Sequence, residues 1–132
     1  MSTNPYVGQK ASFRKTITDA DILLFSAVSG DLNPIHIDDV FSITTKFRRR
    51  IVHGMLTASL LSAVMGTKLP GPGAIYLSQT LKFLKPVYVN DTISAEVEII
   101  EITEKPSRIR LITRCINQDN ECVLEGEALV MP

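Results

Sequence analysis

The chain contains no tryptophan and only two cysteines among its 132 residues, and its aromatic fraction is 6%. The cysteines, Cys115 and Cys122, do not have the spacing of a CxxC pair or of zinc ligands. The pattern therefore predicts neither a disulfide framework nor a metal site. This cysteine usage is typical of a reduced, cytoplasmic protein.

The chain also lacks a charge excess and a long hydrophobic run. It carries 14 Lys and Arg against 14 Asp and Glu, and a formal net charge of zero argues against a nucleic-acid partner. The longest uncharged apolar segment, Gly54 to Thr67, is too short to cross a bilayer, and the loose lead-in over residues 1–10 shows no signal pattern. We expect one domain over residues 1–132, with neither nucleic acid nor membrane among its partners.

Helix signals mark two segments. Thr18-Asp19-Ala20-Asp21 fits a capping box that starts a helix running to about Ser29, with Gly30 just past its end. The main helix is predicted from Gly54 to Lys68, and it is expected to be buried because it is apolar almost all round. The first helix is expected to bury Ile22, Phe25 and Val28.

Alternating apolar residues and turn signals predict five strands, over residues 11–17, 74–85, 92–104, 107–117 and 121–131. The apolar phase shifts near Ile99, which predicts a bulge there. The last two strands form a hairpin with a two-residue loop, Asp119-Asn120, that sets Arg114 opposite Glu125. A long antiparallel sheet around one buried helix would bury the apolar faces of these strands. The sequence pattern alone indicates only the α+β class.

The run Ser29-Gly30-Asp31-Leu32-Asn33-Pro34-Ile35-His36 places a carboxylate and one of two histidines five positions apart. The Asn-Pro step cannot continue a helix, so Asp31 and His36 lie on a rigid, irregular connection. A carboxylate and an imidazole aimed at one water can deprotonate it and deliver a proton. In the alternative interpretation, Asp31 caps a turn and His36 is a partly buried histidine with satisfied hydrogen bonds.

With Phe25 upstream, this run resembles the sequence signature of the MaoC-like, R-specific enoyl-CoA hydratases, which share the hot-dog fold. Two further blocks, residues 51–55 and 83–92, also resemble the family pattern. The second block departs from it at Asn90, where glycine is usual, but asparagine also tolerates a positive φ. The resemblance extends from about Ser12 to Met131.

The resemblance implies hydration of a trans-2-enoyl-CoA to an (R)-3-hydroxyacyl-CoA, with Asp31 and His36 as catalytic residues. It also implies that the backbone amide of Gly54 polarises the thioester carbonyl at the start of the main helix, and that Ser62 supports the site. Asn33 is expected to build the turn, with orientation of a catalytic group as the alternative. We expect no cofactor, because coenzyme A is part of the substrate, and we expect a homodimer.

Five basic residues are candidate phosphate contacts for coenzyme A or acyl-carrier protein, with solvated surface as the alternative: Arg48, Arg49, Arg50, Lys82 and Lys85. Three rival functions stay open. Two are enzymes of similar fold, a 3-hydroxyacyl-ACP dehydratase and a thioesterase. The third is a non-catalytic acyl-CoA-binding module.

Overall fold

The computed structural model describes residues 4–132. Its first two elements are a strand, β1 (Lys10–Thr16), and a capped helix, α1 (Asp19–Ser29). The first three residues of the predicted lead-in lie outside the described residues. The capping box is present, because Thr18 Oγ1 accepts from the Asp21 amide at 3.2 Å and Asp21 Oδ2 accepts from the Thr18 amide at 2.9 Å. The bond from the Thr18 amide holds the pKa of Asp21 below its usual value.

The inward face of α1 differs from the predicted one at Val28. Ile22 and Ser26 are buried, one turn apart, whereas the Val28 side chain is 87% exposed. Val28 lies about 200° further round the helix than Ser26, so it cannot share the face that packs on the core. The prediction that Val28 is buried is therefore wrong.

Two short helices follow, α2 (Pro34–Ile37) and α3 (Asp39–Ile43). The Asn33 side chain caps α2 by accepting from the Ile35 amide at 3.2 Å. The Asp38 side chain caps α3 in the same way, by accepting from the Phe41 amide at 3.1 Å. These caps hold the connection between α1 and the next long helix in a fixed path.

The main helix, α4 (Gly54–Thr67), packs against β1 and against the strands β4 (Thr92–Glu104) and β5 (Ser107–Ile116). The prediction that it is buried all round is wrong, because Met55 is 57% exposed and Ser59 and Ser62 are exposed as well. The sheet covers only one side of the helix, so the flank that carries Met55, Ser59 and Ser62 is not covered by the sheet. The side chains that α4 buries are Thr57, Ala58, Leu60, Leu61, Val64 and Met65.

Among the described residues, six strands form one antiparallel sheet in the order β1-β4-β5-β6-β2, and β3 also pairs with β6. The remaining strands are β2 (Ile75–Gln79), β3 (Lys82–Phe83) and β6 (Cys122–Met131). The buried side chains of β4 are Ile93, Ala95, Val97 and Ile99, as predicted. The bulge predicted near Ile99 is confirmed, because the pairing with β5 skips one residue between Ile99 and Glu101.

Two details of the strand prediction are wrong. Residues 74–85 form two strands instead of one, and the alternating apolar residues Ile75, Leu77 and Phe83 are exposed. The hairpin loop is longer than two residues, since the Asn117 amide bonds to the Glu121 carbonyl at 3.0 Å. The predicted pairing of Arg114 with Glu125 is confirmed, and a bulge after Cys115 absorbs the difference. No helix in the described part of the chain is long and apolar enough to span a bilayer.

Candidate active site

A cleft of about 590 Å³ opens at the N-terminus of α4. Asp31, His36 and Gly54 all line it, so the structure brings the two predicted catalytic side chains and the predicted amide donor to one volume. The apolar part of the lining includes Phe47, Phe83, Leu84, Val87 and Leu124. We call this volume the main cleft.

Asp31 lies in a tight turn just after α1. Gly30 ends that helix with φ 79°, a left-handed conformation that glycine adopts without steric cost. Asp31 Oδ1 accepts from the Asn33 amide at 3.2 Å, and the Asp31 amide donates to Ser29 Oγ at 3.1 Å. These bonds fix the turn while the Asp31 residue stays exposed at the cleft.

His36 is the buried partner, with 8% of its surface exposed. Its Nδ1 lies 2.7 Å from the Ile51 carbonyl oxygen, which can only accept, so Nδ1 carries the hydrogen and Nε2 has a free lone pair. Burial lowers the pKa of His36 below its ordinary value, and the nearby His53 ring lowers it further, against the opposing effects of the Ile51 carbonyl and Asp31. The result is a neutral base.

Gly54 is the first residue of α4, where backbone N–H groups have no partner within the helix. The side chain of the preceding residue, His53, makes no capping bond. The helix dipole adds positive potential at this end, so the Gly54 amide can stabilise a developing oxyanion. A Cβ at position 54 would lie 2.6 Å from Cε1 of Phe83, so a larger residue there requires the Phe83 ring to move.

His53 lies in the block of residues 51–55, and its backbone forms the start of α4. Its carbonyl accepts from the Leu56 amide at 3.1 Å and the Thr57 amide at 3.2 Å. Its ring is 2% exposed and stacks on His36, with 3.8 Å between the ring centroids. The signals in the sequence were its match to a position of the family pattern and its place next to Gly54.

One side-chain oxygen of Asp31 and one ring nitrogen each of His36 and His53 lie within 4.8 Å of one another. This is close enough for Asp31 and His36 to act on a single water. Among the described residues, these three side chains form the group whose donor atoms lie close enough together to hold a metal ion. His53 Nε2, however, already lies 3.1 Å from the Asp31 carbonyl oxygen.

Ser62 does not line the main cleft. Ser62 is exposed and lines a neighbouring groove of about 530 Å³, which we call the Ser62 groove. Phe25, Ala58 and Leu81 also line this groove. Met55 lines both volumes. The Asn33 side chain is engaged as the cap of α2, in agreement with its predicted role in the turn.

The five basic candidates differ in their surroundings. Arg50 donates to Asp19 at 2.7 Å and to Asp39 at 2.8 Å, and Lys85 pairs with Glu121 at the rim of the main cleft. Arg49 lies over the Tyr88 ring at 3.5 Å. Arg48 is exposed with φ 64°, and Lys82 is exposed on β3 opposite Glu125.

Lys46 lines the main cleft and was missed by sequence reasoning. It precedes the run of arginines, and the sequence shows no feature that separates it from other surface lysines.

Comparisons with known proteins give matches over most of the chain. The family model described as MaoC like domain matches residues 2–119. An (R)-specific enoyl-CoA hydratase of Rhodospirillum rubrum is 47% identical over 94% of this chain and 85% of its own length. A mitochondrial 3-hydroxyacyl-[acyl-carrier-protein] dehydratase of Solanum lycopersicum is 38% identical over 95% of this chain and 76% of its own length.

A solved structure of the (R)-hydratase from A. caviae involved in PHA biosynthesis superposes with a TM-score of 0.94 at 45% identity, covering 99% of this chain and 100% of that one. The likeness covers the whole sheet and α4, so the hot-dog architecture expected from the resemblance is confirmed.

Proposed function

The chain belongs to the MaoC-like domain family, and on that premise we propose that it is an (R)-specific enoyl-CoA hydratase, adding water to a trans-2-enoyl-CoA to give an (R)-3-hydroxyacyl-CoA. The observation that carries this proposal is the main cleft, where Asp31, the free Nε2 of His36 and the Gly54 amide converge. Relatives named for the CoA reaction reach 47% identity, against 38% for the dehydratase of acyl-carrier-protein substrates, which favours CoA as the carrier.

The residues of the cleft account for the reaction step by step. Asp31 and His36 Nε2 hold one water, and His36 takes its proton while the water oxygen bonds to C3. The C2=C3 electron pair moves toward C1, and the thioester oxygen becomes an enolate that the Gly54 amide stabilises. The proton held by His36 then passes to C2, so the net change is the addition of one water. Dehydration is the same sequence reversed.

The hydration forms one C–O bond and transfers protons without net oxidation or reduction, so the proposal includes no cofactor, and coenzyme A enters as part of the substrate. The apolar lining of the main cleft suits the acyl part of the substrate. Lys46, Arg48, Arg49 and Lys82 are the proposed phosphate contacts, because Arg50 and Lys85 are engaged with carboxylates.

We also propose a homodimer and a reducing, cytoplasmic location. The dimer is supported by β2, which lies at one edge of the sheet and exposes Ile75, Tyr76 and Leu77. The location is supported by two free cysteines, of which Cys115 is buried, and burial raises the pKa of its thiol to about 12. A thiol held in this protonated state is unreactive.

Loss of absorbance of crotonyl-CoA tests the activity, and the stereochemistry of the product tests the substrate face. The hydrated product should not reduce NAD with an (S)-specific 3-hydroxyacyl-CoA dehydrogenase. Asp31→Asn and His36→Ala should each lower kcat by at least about 10²-fold, and the double variant should fall little further because the pair acts on one water. Near-normal turnover in either single variant, or stoichiometric NADH, would contradict the proposal.

A further inference from the structure

We propose that His53 is a positioning residue for the hydration, because its ring holds the main chain of Asp31 and the ring of His36 so that both face one water. This inference rests on the proposed function. The Asp31–His36 pair comes from the sequence motif. The buried ring that links the two residues is visible only in the fold.

The first link is a hydrogen bond to the residue that carries the carboxylate. His53 Nε2 lies 3.1 Å from the carbonyl oxygen of Asp31, and a carbonyl can only accept, so Nε2 carries the hydrogen. Ser26 Oγ, on α1, lies 3.1 Å from the same nitrogen. His53 thus joins α1, the Asp31 turn and the start of α4.

The second link is the stack on His36. The two imidazole rings lie 3.8 Å apart between centroids with 26° between their planes. The Phe25 ring also contacts His53, at 4.9 Å between centroids. Together with the Nδ1 bond to Ile51, this stack leaves His36 little freedom to turn Nε2 away from the cleft.

The His53 ring has no remaining donor to offer a substrate. In the neutral ring Nε2–H is directed at Asp31 and Ser26, and Nδ1 is buried without a hydrogen-bond partner among the described residues. His53 therefore acts through Asp31 and His36. Displacement of a reacting group by about 1 Å can cost about 10²-fold in rate, which sets the scale of the expected effect.

Two variants separate the links. His53→Phe keeps a ring against His36 and removes the donor to Asp31, whereas His53→Gln keeps an N–H near the position of Nε2 and removes the stack. We expect His53→Phe to lower kcat by about 10- to 100-fold with KM within about threefold of the wild-type value. His53→Gln should recover part of that loss, since a side-chain amide can donate to the Asp31 carbonyl.

The matched control is Ser42→Ala. Ser42 is fully buried and its hydroxyl donates to the Ile35 carbonyl at 3.3 Å, so it bonds to the same connection and not to the side chain of Asp31 or His36. We expect this control to keep the wild-type kcat even if its melting temperature falls.

A second readout does not need turnover. The chain has two histidines, so each His53 variant leaves His36 as the only imidazole, and its ¹⁵N signals can be assigned directly. The wild-type His36 ring should carry its hydrogen on Nδ1. His53→Gln removes the stack that keeps the ring against the Ile51 carbonyl, so the His36 signals should shift toward a mixture of the two tautomers. If His53→Phe does not fold, His53→Gln alone decides, with an expected fall in kcat and this shift.

Wild-type kcat in folded His53→Phe would overturn the inference, and so would His53→Gln with both kcat and the His36 signals unchanged. A lower melting temperature with unchanged kcat would leave His53 a structural residue only, which also overturns it. Failure of the proposed function looks different, because wild-type protein would then hydrate no enoyl thioester while the tautomer of His36 still responded to position 53.

Discussion

The electrostatic surroundings of His36 are set by two neighbours that are distant in the sequence. The Ile51 carbonyl fixes the hydrogen on Nδ1, and the His53 ring covers one face of the imidazole. Burial disfavours the charged form, so His36 is a base that stays unprotonated at neutral pH. The carboxylate of Asp31, by contrast, is exposed to the cleft.

The pH dependence of activity and stability follows from this environment. Because the pKa of His36 is lowered from 6.5, kcat/KM should stay level at neutral pH and fall on an acid limb centred below 6.5. Between the lowered pKa and 6.5, the unfolded chain binds a proton at this site that the folded chain does not. The free energy of unfolding should therefore decrease as pH falls through that window.

Urea unfolding at several pH values, compared between wild type and His36→Gln, measures the share of this slope that belongs to His36. The variant should show a shallower slope. An acid limb centred above 6.5, or equal slopes in both proteins, would contradict the assignment of a lowered pKa to this residue.

Gly54 is tested by adding a single methyl group. Gly54→Ala should keep a melting temperature near that of the wild type, because alanine favours the helix by about 1 kcal/mol and the Phe83 ring, 53% exposed, can turn away. We expect kcat/KM to fall by at least about 10-fold, since the methyl group crowds the thioester oxygen at the amide donor.

The double variant Gly54→Ala with Phe83→Ala, compared with Phe83→Ala alone, removes the clash between the methyl group and the ring. The loss attributable to position 54 should persist in this background. Full recovery of kcat/KM would mean that the displaced Phe83 ring blocked the cleft, and the close approach of the carbonyl to Gly54 would be disproved.

At the scale of elements, Gly126 in β6 accounts for the break between β2 and β3. The chain between β2 and β3 turns its Thr80 carbonyl toward Gly126, where an ideal Cβ would lie only 1.8 Å from the oxygen. Two hydrogen bonds to Glu127 hold Thr80 there. The Thr80 amide donates to the Glu127 carbonyl at 2.9 Å, and the Thr80 hydroxyl accepts from the Glu127 amide at 3.0 Å. A missing side chain on one strand thus permits the break in its neighbour.

Gly126→Ala tests this fit. The new methyl group meets backbone atoms that cannot rotate away, so we expect a loss of about 3 kcal/mol or more in the free energy of unfolding, at the upper end for overpacked sites. Gly66→Ala is the matched control, since a Cβ there meets no heavy atom within 4 Å and should stabilise α4 by up to about 1 kcal/mol. Equal urea midpoints for Gly126→Ala and the wild type would show that the break does not depend on this contact.

At the scale of the whole molecule, the uncovered flank of α4 and the edge strand β2 lie together. The Ser62 groove is lined by Met55 and Ser59 on the helix side and by Tyr76 and Leu77 on the strand side. Apolar side chains on an exposed sheet edge favour pairing with another strand. A second copy of β2 would extend the sheet and cover this groove.

Light scattering should therefore give twice the mass of one chain. Leu77→Lys, on β2, should shift the protein toward monomer, because a charge is introduced into the proposed contact. Ile112→Lys is the control, since Ile112 is 48% exposed in the middle of the sheet, on β5. A wild-type monomer, or dissociation by Ile112→Lys as readily as by Leu77→Lys, would contradict dimerisation through β2.

The sequence by itself determined the features that depend on neighbouring residues. The capping box at Thr18, the left-handed Gly30, the turn built by Asn33 and the bulge at Ile99 all follow from local backbone preferences and side-chain period, and the structure has each of them. The Asp31–His36 pairing is local too, because the two residues lie on one short connection.

Only the tertiary structure decided which distant residues meet. Ser26, Asp31 and His53 come together only because the fold brings the end of α1 and the turn after it against the residue that precedes α4, and the sequence separations of 27 and 22 residues carry no periodic signal. For the same reason the sequence did not show that Arg50 is engaged with Asp19 and Asp39. Burial is likewise a property of the assembled layers, so α4 could be recognised as apolar, but the flank that the sheet leaves uncovered could not.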